Sequence, residues 1–287
     1  MRGTSVASKP SPTMRMPSQL TPHDAPTGGP PEPIGSFAWA QAPWGWVLTC
    51  PPLAALARHG FTIRDLDPGR GADPDAAWTA VAAWLDVPPS GLWRLDQVHG
   101  CRALRVDAAA LPAGGPLPSA DAAITTRADV AVAVKAADCV PILMAHPGGA
   151  VAAVHAGWRG TAQGIAGRAA KDLAGAAGGS PREIVAAIGP SIGPCCYEVG
   201  PEVRETFHVA GFAERDLDRW FLPAESPTAT HVLDMWQSNA DQLIAAGVDP
   251  ANVHVAGLCT ATHNDWFWSY RREGAKAGRM LAVIRRT

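Results

Sequence analysis

The stretch Val151-Ala-Ala-Val-His155-Ala-Gly-Trp-Arg159-Gly160 constrains the fold more than any other part of the chain. Its small apolar run reads as a buried strand, a glycine-containing turn follows, and Thr161 to Leu173 is alanine-rich with few breakers, which predicts a helix. A strand end fixes an imidazole in place. The N–H groups of a helix start, together with Arg159, favour an anion such as phosphate. Taken alone, His155 is more simply a core histidine satisfied by a carbonyl. Three further segments change that balance.

Around this stretch the pattern predicts mixed strands and helices without strict alternation, an α+β class rather than a doubly wound sheet. Phe37–Ala40 and Gly45–Thr49 read as a hairpin, Pro51–His59 as a short helix and Gly60–Arg64 as a strand. Asp65–Asp73 and Leu111–Ser119 read as loops. Pro74–Leu85 carries an amphipathic helix with Trp78, Val81 and Trp84 on one face. Leu92–Gly100, Asp121–Thr125, Val130–Lys135, the run after Ala136-Ala-Asp-Cys, Glu183–Ile188, Val253–Leu258 and Met280–Ile284 are expected strands. Pro201–Phe207 and Asp234–Ala246 are expected helices, the second closed by Gly247. Residues 1 to about 35 are rich in Pro, Ser and Thr and lack periodic apolar residues, so they read as a disordered tail. Residues 36–287 form the expected single domain.

With 47% hydrophobic residues the chain can bury a full core, and a net charge of −2 without a basic run argues against nucleic-acid or membrane-surface partners. No apolar run approaches the roughly 18 residues that span a bilayer. The six cysteines (50, 101, 139, 195, 196, 259) contain no Cys-x-x-Cys pair and the start lacks an apolar h-region, which favours a reducing, cytoplasmic setting. No Gly-x-Gly-x-x-Gly or Walker loop is present.

Three segments share one design. Gln97-Val-His99-Gly, Ala137-Asp138-Cys139-Val-Pro and His155-Ala-Gly-Trp-Arg159 each put a zinc-type ligand where a buried strand breaks into a turn. A His/Cys/His set of borderline-soft donors suits zinc with a fourth position left open, the arrangement of catalytic rather than structural sites. Gln97, two residues before His99, is expected to point toward the pocket, since alternate strand positions share a face. Asp138 either orients a ligand imidazole or Arg159, or forms a local turn with its own backbone. Cys195 and Cys196, beside prolines in a tight loop, read as packing residues, and Cys259 as core.

These residues lie in motifs that resemble a known family. Gln97-Val-His-Gly, Asp121-Ala-Ala-Ile-Thr, Ala137-Asp-Cys-Val-Pro, His155-Ala-Gly-Trp-Arg-Gly, Ile188-Gly-Pro-Ser-Ile with Cys196-Tyr-Glu-Val-Gly, and Phe267-Trp-Ser-Tyr-Arg-Arg with Gly278-Arg-Met resemble the YfiH-like laccase-domain family. The matches run from about Gly91 to the C-terminus. Upstream, His59-Gly-Phe-Thr-Ile-Arg64 resembles the family's Phe-x-Thr-Arg segment and suggests Arg64 at the pocket edge. The resemblance implies an α/β/β/α layered fold and zinc (copper being the family's other association) held at His99, Cys139 and His155. It also implies purine nucleoside phosphorylase activity with adenosine deaminase activity, or editing of peptidoglycan precursors.

Both nucleoside reactions are physically coherent with that site. A zinc ion acidifies bound water toward a pKa of ~7, which suits deamination at C6 of adenine. Phosphorolysis needs an ordered phosphate to attack C1′, and therefore cationic donors, of which Arg159 is the first candidate and Arg271 or Arg272 the next. Trp158 is placed to stack on a purine. Three rivals stand beside this. One is a cysteine hydrolase or amidase with Cys139 as nucleophile and His155 or His99 as base. Another is a non-catalytic domain with a structural zinc. The last is a multicopper oxidase, disfavoured because the nine histidines include no His-x-His pair. The sequence leaves the oligomeric state open.

Overall fold

The computed structural model describes residues 29–68, 75–110, 115–225 and 229–287. β1 (Ala38–Ala42) and β2 (Gly45–Thr49) form the expected hairpin over Pro43-Trp44. The helix expected over Pro51–His59 is one turn only, α1 (Pro51–Ala54), because the chain from Ala57 is taken into the sheet as β3 (Ala57–Thr62). α2 (Ala76–Trp84) buries Trp78 and Val81. The strand expected over Leu92–Gly100 stops after two residues as β4 (Leu92–Trp93), and the rest turns into irregular structure that carries the site.

β5 (Ala103–Arg105), β6 (Ala122–Thr125), β7 (Ala131–Ala136), β8 (Val140–His146) and β9 (Ala150–Ala156) follow. The single helix expected over Thr161–Leu173 is two, α3 (Trp158–Ala162) and α4 (Ile165–Ala177). Gly164 separates them at φ +77°, a left-handed conformation that glycine adopts without steric cost. Next come β10 (Val185–Ile188), β11 (Glu198–Val199), α5 (Pro201–Val209), α6 (Glu214–Trp220), β12 (Phe221–Pro223) and β13 (His231–Leu233). α7 (Met235–Ala245), capped by the Asp234 carboxylate, β14 (Val253–Val255), α8 (Tyr270–Glu273) and β15 (Met280–Arg286) complete the described chain. α6 and the short strands β5, β12 and β13 carry too little periodicity to be read from sequence.

One six-stranded sheet runs β1-β2-β3-β15-β7-β4 and the other β14-β10-β8-β9-β6-β5; β11-β13-β12 make a small third sheet. The two large sheets face each other. Val132 and Val134 of β7, Leu143 and Ala145 of β8, Val151 and Ala153 of β9, and Ala282 and Ile284 of β15 fill the space between them. Alternate residues point outward. Ala131, Ala133, Leu281 and Val283 pack under α2, while Ile142, Met144, Ala152 and Val154 pack under α4 and α7. Both faces of the central strands are therefore covered, which explains why they read as continuous apolar runs. The result is the expected α/β/β/α layering.

Of the tail expected over 1–35, residues 1–28 lie outside the described residues. Residues 29–35 are laid against the domain, with Ile34 N–H donating to Ala256 O at 2.9 Å and Pro31 O accepting from Trp39 Nε1 at 2.7 Å. Among the described residues no helix is long and apolar enough to cross a membrane.

Candidate metal centre and its cavity

By strand alternation His155 shares the inter-sheet face with Val151 and Ala153, so its ring emerges at the end of the gap between the sheets. There it meets His99 and Cys139. The ligand-type atoms of the three lie within 4.8 Å of one another. The two imidazole centroids are 4.8 Å apart at 79°, and both rings hydrogen-bond the Cys139 sulfur. Gly157 packs against this group. A Cβ built on it would lie 3.0 Å from His99 Cδ2 and 3.1 Å from Cys139 Sγ, so the turn after β9 brings bare backbone to the cluster.

The electrostatics of the three are linked. Burial alone would push the Cys139 thiol up, but the His155 charge and hydrogen bonds from both histidines outweigh it and bring the thiol down to about 6. Burial alone would lower His155, yet the Cys139 thiolate and the Asp121 carboxylate raise it to about 9. A thiolate and two imidazoles are a donor set that fits zinc, and the same set serves blue copper. Among the described residues no fourth His, Cys, Asp or Glu joins them within that radius.

Asp121 organises the cluster, and sequence reasoning placed it only at the start of a strand. Its fully buried carboxylate accepts from His155 Nδ1 (2.9 Å), His99 N (2.9 Å), Gly100 N (2.7 Å) and Val98 N (3.3 Å). The bond to Nδ1 fixes the tautomer that leaves Nε2 as the lone-pair nitrogen. Burial opposes its ionisation, but these donors hold the carboxyl below its ordinary range. The same donors settle His99 at φ +59°, left-handed for a non-glycine residue. The missed signal was an aspartate opening a buried strand, since a buried charge needs partners.

Asp138 does neither of the things expected of it. Its carboxylate accepts from Thr260 Oγ1 (2.6 Å), Ser269 Oγ (3.2 Å) and Arg271 N (2.6 Å), and touches neither a ligand imidazole nor Arg159. It ties the Cys139 turn to the segment before β15 across 133 residues. Gln97 reaches the cavity, though not by strand alternation. Its amide clamps the β7 backbone, donating to Lys135 O and accepting from Lys135 N, each at 2.8 Å.

A cavity of about 680 Å³ opens on the cluster, with Gln97, Lys135, Trp158, Arg159, Tyr197, Arg271 and Arg279 in its wall. The Arg159 guanidinium lies 4.3 Å over the Trp158 ring, and among the described residues no side chain accepts a hydrogen bond from it. Arg271 is more committed, donating to the carbonyls of Cys196 (3.2 Å) and Glu198 (3.0 Å) over the Tyr197 ring. Arg64 is not in this wall. Its guanidinium pairs with Glu273 at 3.1 Å, donates to Asn264 O and lies 4.0 Å over Trp268. Arg272 likewise turns away, to Ala261 O. Lys135 and Arg279 are cavity cations that the sequence reading passed over. Lys135, closing an apolar strand with a charge, was the available signal.

Cys195, Cys196 and Cys259, expected as separate packing residues, come together as a second group of three potential ligands.

Fold and site thus define a layered α/β/β/α protein with a His/Cys/His group, able to hold a metal ion, at the mouth of a cation-lined cavity. Residues 72–287 match the family described as multi-copper polyphenol oxidoreductase laccase. The crystal structure of YlmD from Geobacillus stearothermophilus superimposes with a TM-score of 0.72 at 32% identity, covering 86% of this chain and 98% of that one. That of Bacillus licheniformis YfiH gives 0.75 at 28% identity, covering 83% and 96%. In sequence, the Bacteroides thetaiotaomicron protein named purine nucleoside phosphorylase is 39% identical over 58% of this chain and 61% of its own length. The Geobacillus stearothermophilus purine nucleoside phosphorylase YlmD is 36% identical over 72% of this chain and 76% of its own. A prokaryotic protein named adenosine deaminase RL5 is 35% identical over 72% and 79%. The chain belongs to this laccase-domain family of YfiH and YlmD.

Proposed function

We propose that the protein is a zinc-dependent purine nucleoside phosphorylase acting on adenosine, inosine and methylthioadenosine, with adenosine deaminase activity at the same site. The observation that carries the reading is a three-ligand group whose open side faces a cavity furnished with an uncommitted arginine and aromatic rings. The names of relatives at 35–39% identity support it. All six cysteines are free thiols, which agrees with the proposed cytoplasmic setting.

His99, Cys139 and His155 would hold the ion, and zinc bound there would supply Lewis-acid chemistry. Arg159 binds phosphate, and Lys135 adds charge from the facing wall. Trp158 and Tyr197 supply flat apolar surface for the base. In phosphorolysis a phosphate oxygen bonds to C1′ as the C1′–N9 bond breaks, and the purine leaves with the electron pair and takes up a proton. Asp121 and Asp138 touch no substrate atom in this scheme; each holds a turn that carries a working residue. The test is incubation of the three nucleosides with phosphate. Free base and ribose 1-phosphate (5-methylthioribose 1-phosphate from methylthioadenosine) are expected above a His155→Ala control, and inosine from adenosine without phosphate. If neither base nor inosine exceeds that control, the reading fails.

One observation favours a second reading. Cys139, with its thiol at about 6 beside two histidines, is also arranged as a hydrolase nucleophile. Covalent labelling of metal-free protein at Cys139 by an electrophilic substrate, with turnover that survives chelation, supports the thiol enzyme instead.

A further inference from the structure

Outside the cavity chemistry, the loop after β10 and the segment after β14 bring three sulfurs to one place. Cys195 Sγ is 3.4 Å from Cys196 Sγ, and all three sulfurs, with Cys259, lie within 4.8 Å of one another. Thr262 Oγ1 is 3.3 and 3.4 Å from the first two. The two segments are locked in register, Ser191 N donating to Leu258 O (3.2 Å) and Thr260 N to Ser191 O (3.0 Å). Gly193 N–H donates to Cys259 Sγ at 3.2 Å, a backbone bond that favours the thiolate. Cys259 is buried, Cys196 half-buried and Cys195 exposed, so the group is closed underneath and open to solvent above.

An ion about 2.3 Å from each sulfur in tetrahedral or trigonal geometry sets the sulfurs roughly 3.8–4.0 Å apart. The Cys195–Cys196 separation of 3.4 Å lies a few tenths of an ångström inside that value, and all three sulfurs fall within 4.8 Å of one another. Hydrogen bonds from Cys195 and Cys196 hold the Cys259 thiol far below the ordinary range, while the Cys195 thiol is pushed up by the same contacts. Three convergent sulfurs form a donor set that selects soft cations.

We propose that Cys195, Cys196 and Cys259 form a second metal site, a trithiolate centre for zinc or an equally thiophilic d10 cation, with Thr262 or water completing the coordination. Binding forms three metal–sulfur bonds and releases the remaining thiol protons to solvent. The site borders the cavity through its own loop, because Cys196 O accepts from Arg271 and Tyr197 follows directly.

The test is zinc titration of the reduced full-length protein with a competing chromophoric chelator, alongside Cys195→Ser/Cys196→Ser and Cys139→Ala proteins. Loss of one zinc equivalent in the double serine variant, with Cys139→Ala retaining it, is expected. Cobalt substitution gives the second readout. Sulfur-to-cobalt charge-transfer absorption is expected to fall by more than half in the double variant, since three of four thiolates belong to this group. An unchanged stoichiometry and cobalt spectrum in that variant overturns the proposal. So does a Cys195–Cys196 disulfide that, once reduced, leaves protein binding no ion there. The Cys139→Ala protein reports on the other centre alone, so failure of either assignment is read separately.

Discussion

Replacing Asp121 with Asn tests whether the cluster is built by its carboxylate. Oδ1 accepts from His99 N and His155 Nδ1, both at 2.9 Å, and Oδ2 accepts from Gly100 N at 2.7 Å and Val98 N at 3.3 Å. An amide offers one oxygen, so its NH2 must face one of these pairs of donors. With the NH2 toward Val98 and Gly100 two donors are stranded; with it toward His155, the His99 N–H is stranded and the imidazole must change tautomer. Each donor stranded costs ~1–3 kcal/mol, and because the 98–100 turn is partly exposed the low end applies, for a loss of ~1–2 kcal/mol in urea denaturation. If the NH2 faces His155, Nδ1 must become the acceptor and the ring proton moves to Nε2, the nitrogen needed as ligand. Loss of such an outer partner costs 10–100-fold in metal affinity, equivalent to ~1.4–2.7 kcal/mol. The assay is zinc competition at pH 7 beside denaturation of the metal-free protein. An Asp121→Asn protein within threefold of the parent affinity and within ~0.5 kcal/mol of its stability refutes the assignment.

Gly157 sits at φ −69°, which alanine accepts, so Gly157→Ala acts through the 3.0 and 3.1 Å approaches to His99 and Cys139. Zinc affinity measured by competition is expected to fall by about tenfold or more, while stability drops by only ~1–3 kcal/mol. In metal-free protein, iodoacetamide modification of Cys139 is expected to rise as pH increases through about 6 and to level off above it, because a lowered pKa keeps the thiolate at neutral pH. A midpoint near that of a free thiol, about 8.5, contradicts the His155 pairing. Arg159→Ala is expected to raise the phosphate KM by about tenfold or more with the nucleoside KM nearly unchanged, since the charge it removes faces only the anion. Copper-loaded protein is expected not to oxidise polyphenols, read by oxygen uptake, because the nine histidines include no His-x-His pair for a multicopper centre.

The sheets were legible because their strands are buried on both faces. β8 and β9 are apolar but for His146 and His155 near their ends and are bounded by turn residues, so no rival period competes for them. The boundaries that failed are those decided by distant partners. Ala57 to His59 sustain a helix pattern locally, yet β15 pairs with them, and β2 with Phe61 and Thr62 beyond, to make β3. The strand from Leu92 ends early because Asp121, more than 20 residues away, gathers the N–H groups of 98–100 that a ladder would have used. His99, Cys139 and His155 were found because each sits at a break in an apolar run. Asp121 was hidden because its partners are mostly backbone, and backbone carries no signature in sequence.

The roles of the two aspartates follow from that same distinction. Asp138 and His99 both hold positive φ, 80° and 59°, which for such residues costs of order 1–3 kcal/mol and persists only where the surroundings dictate it. At His99 the dictating group is the Asp121 carboxylate; at Asp138 it is the residue's own carboxylate, gripped by Thr260, Ser269 and the Arg271 backbone. Each strained turn presents one ligand, His99 on the first and Cys139 on the second. The Asp121 carboxylate accepts four hydrogen bonds and the Asp138 carboxylate three, so each is engaged in holding its turn. Their chemical contribution is positional: one carboxylate fixes an imidazole and its tautomer, and the other fixes the thiolate turn against the loop carrying Arg271. A conservative change at either position should therefore move metal affinity and stability together. A change at Arg159, whose guanidinium stacks on Trp158 but anchors no turn, should move chiefly the phosphate KM.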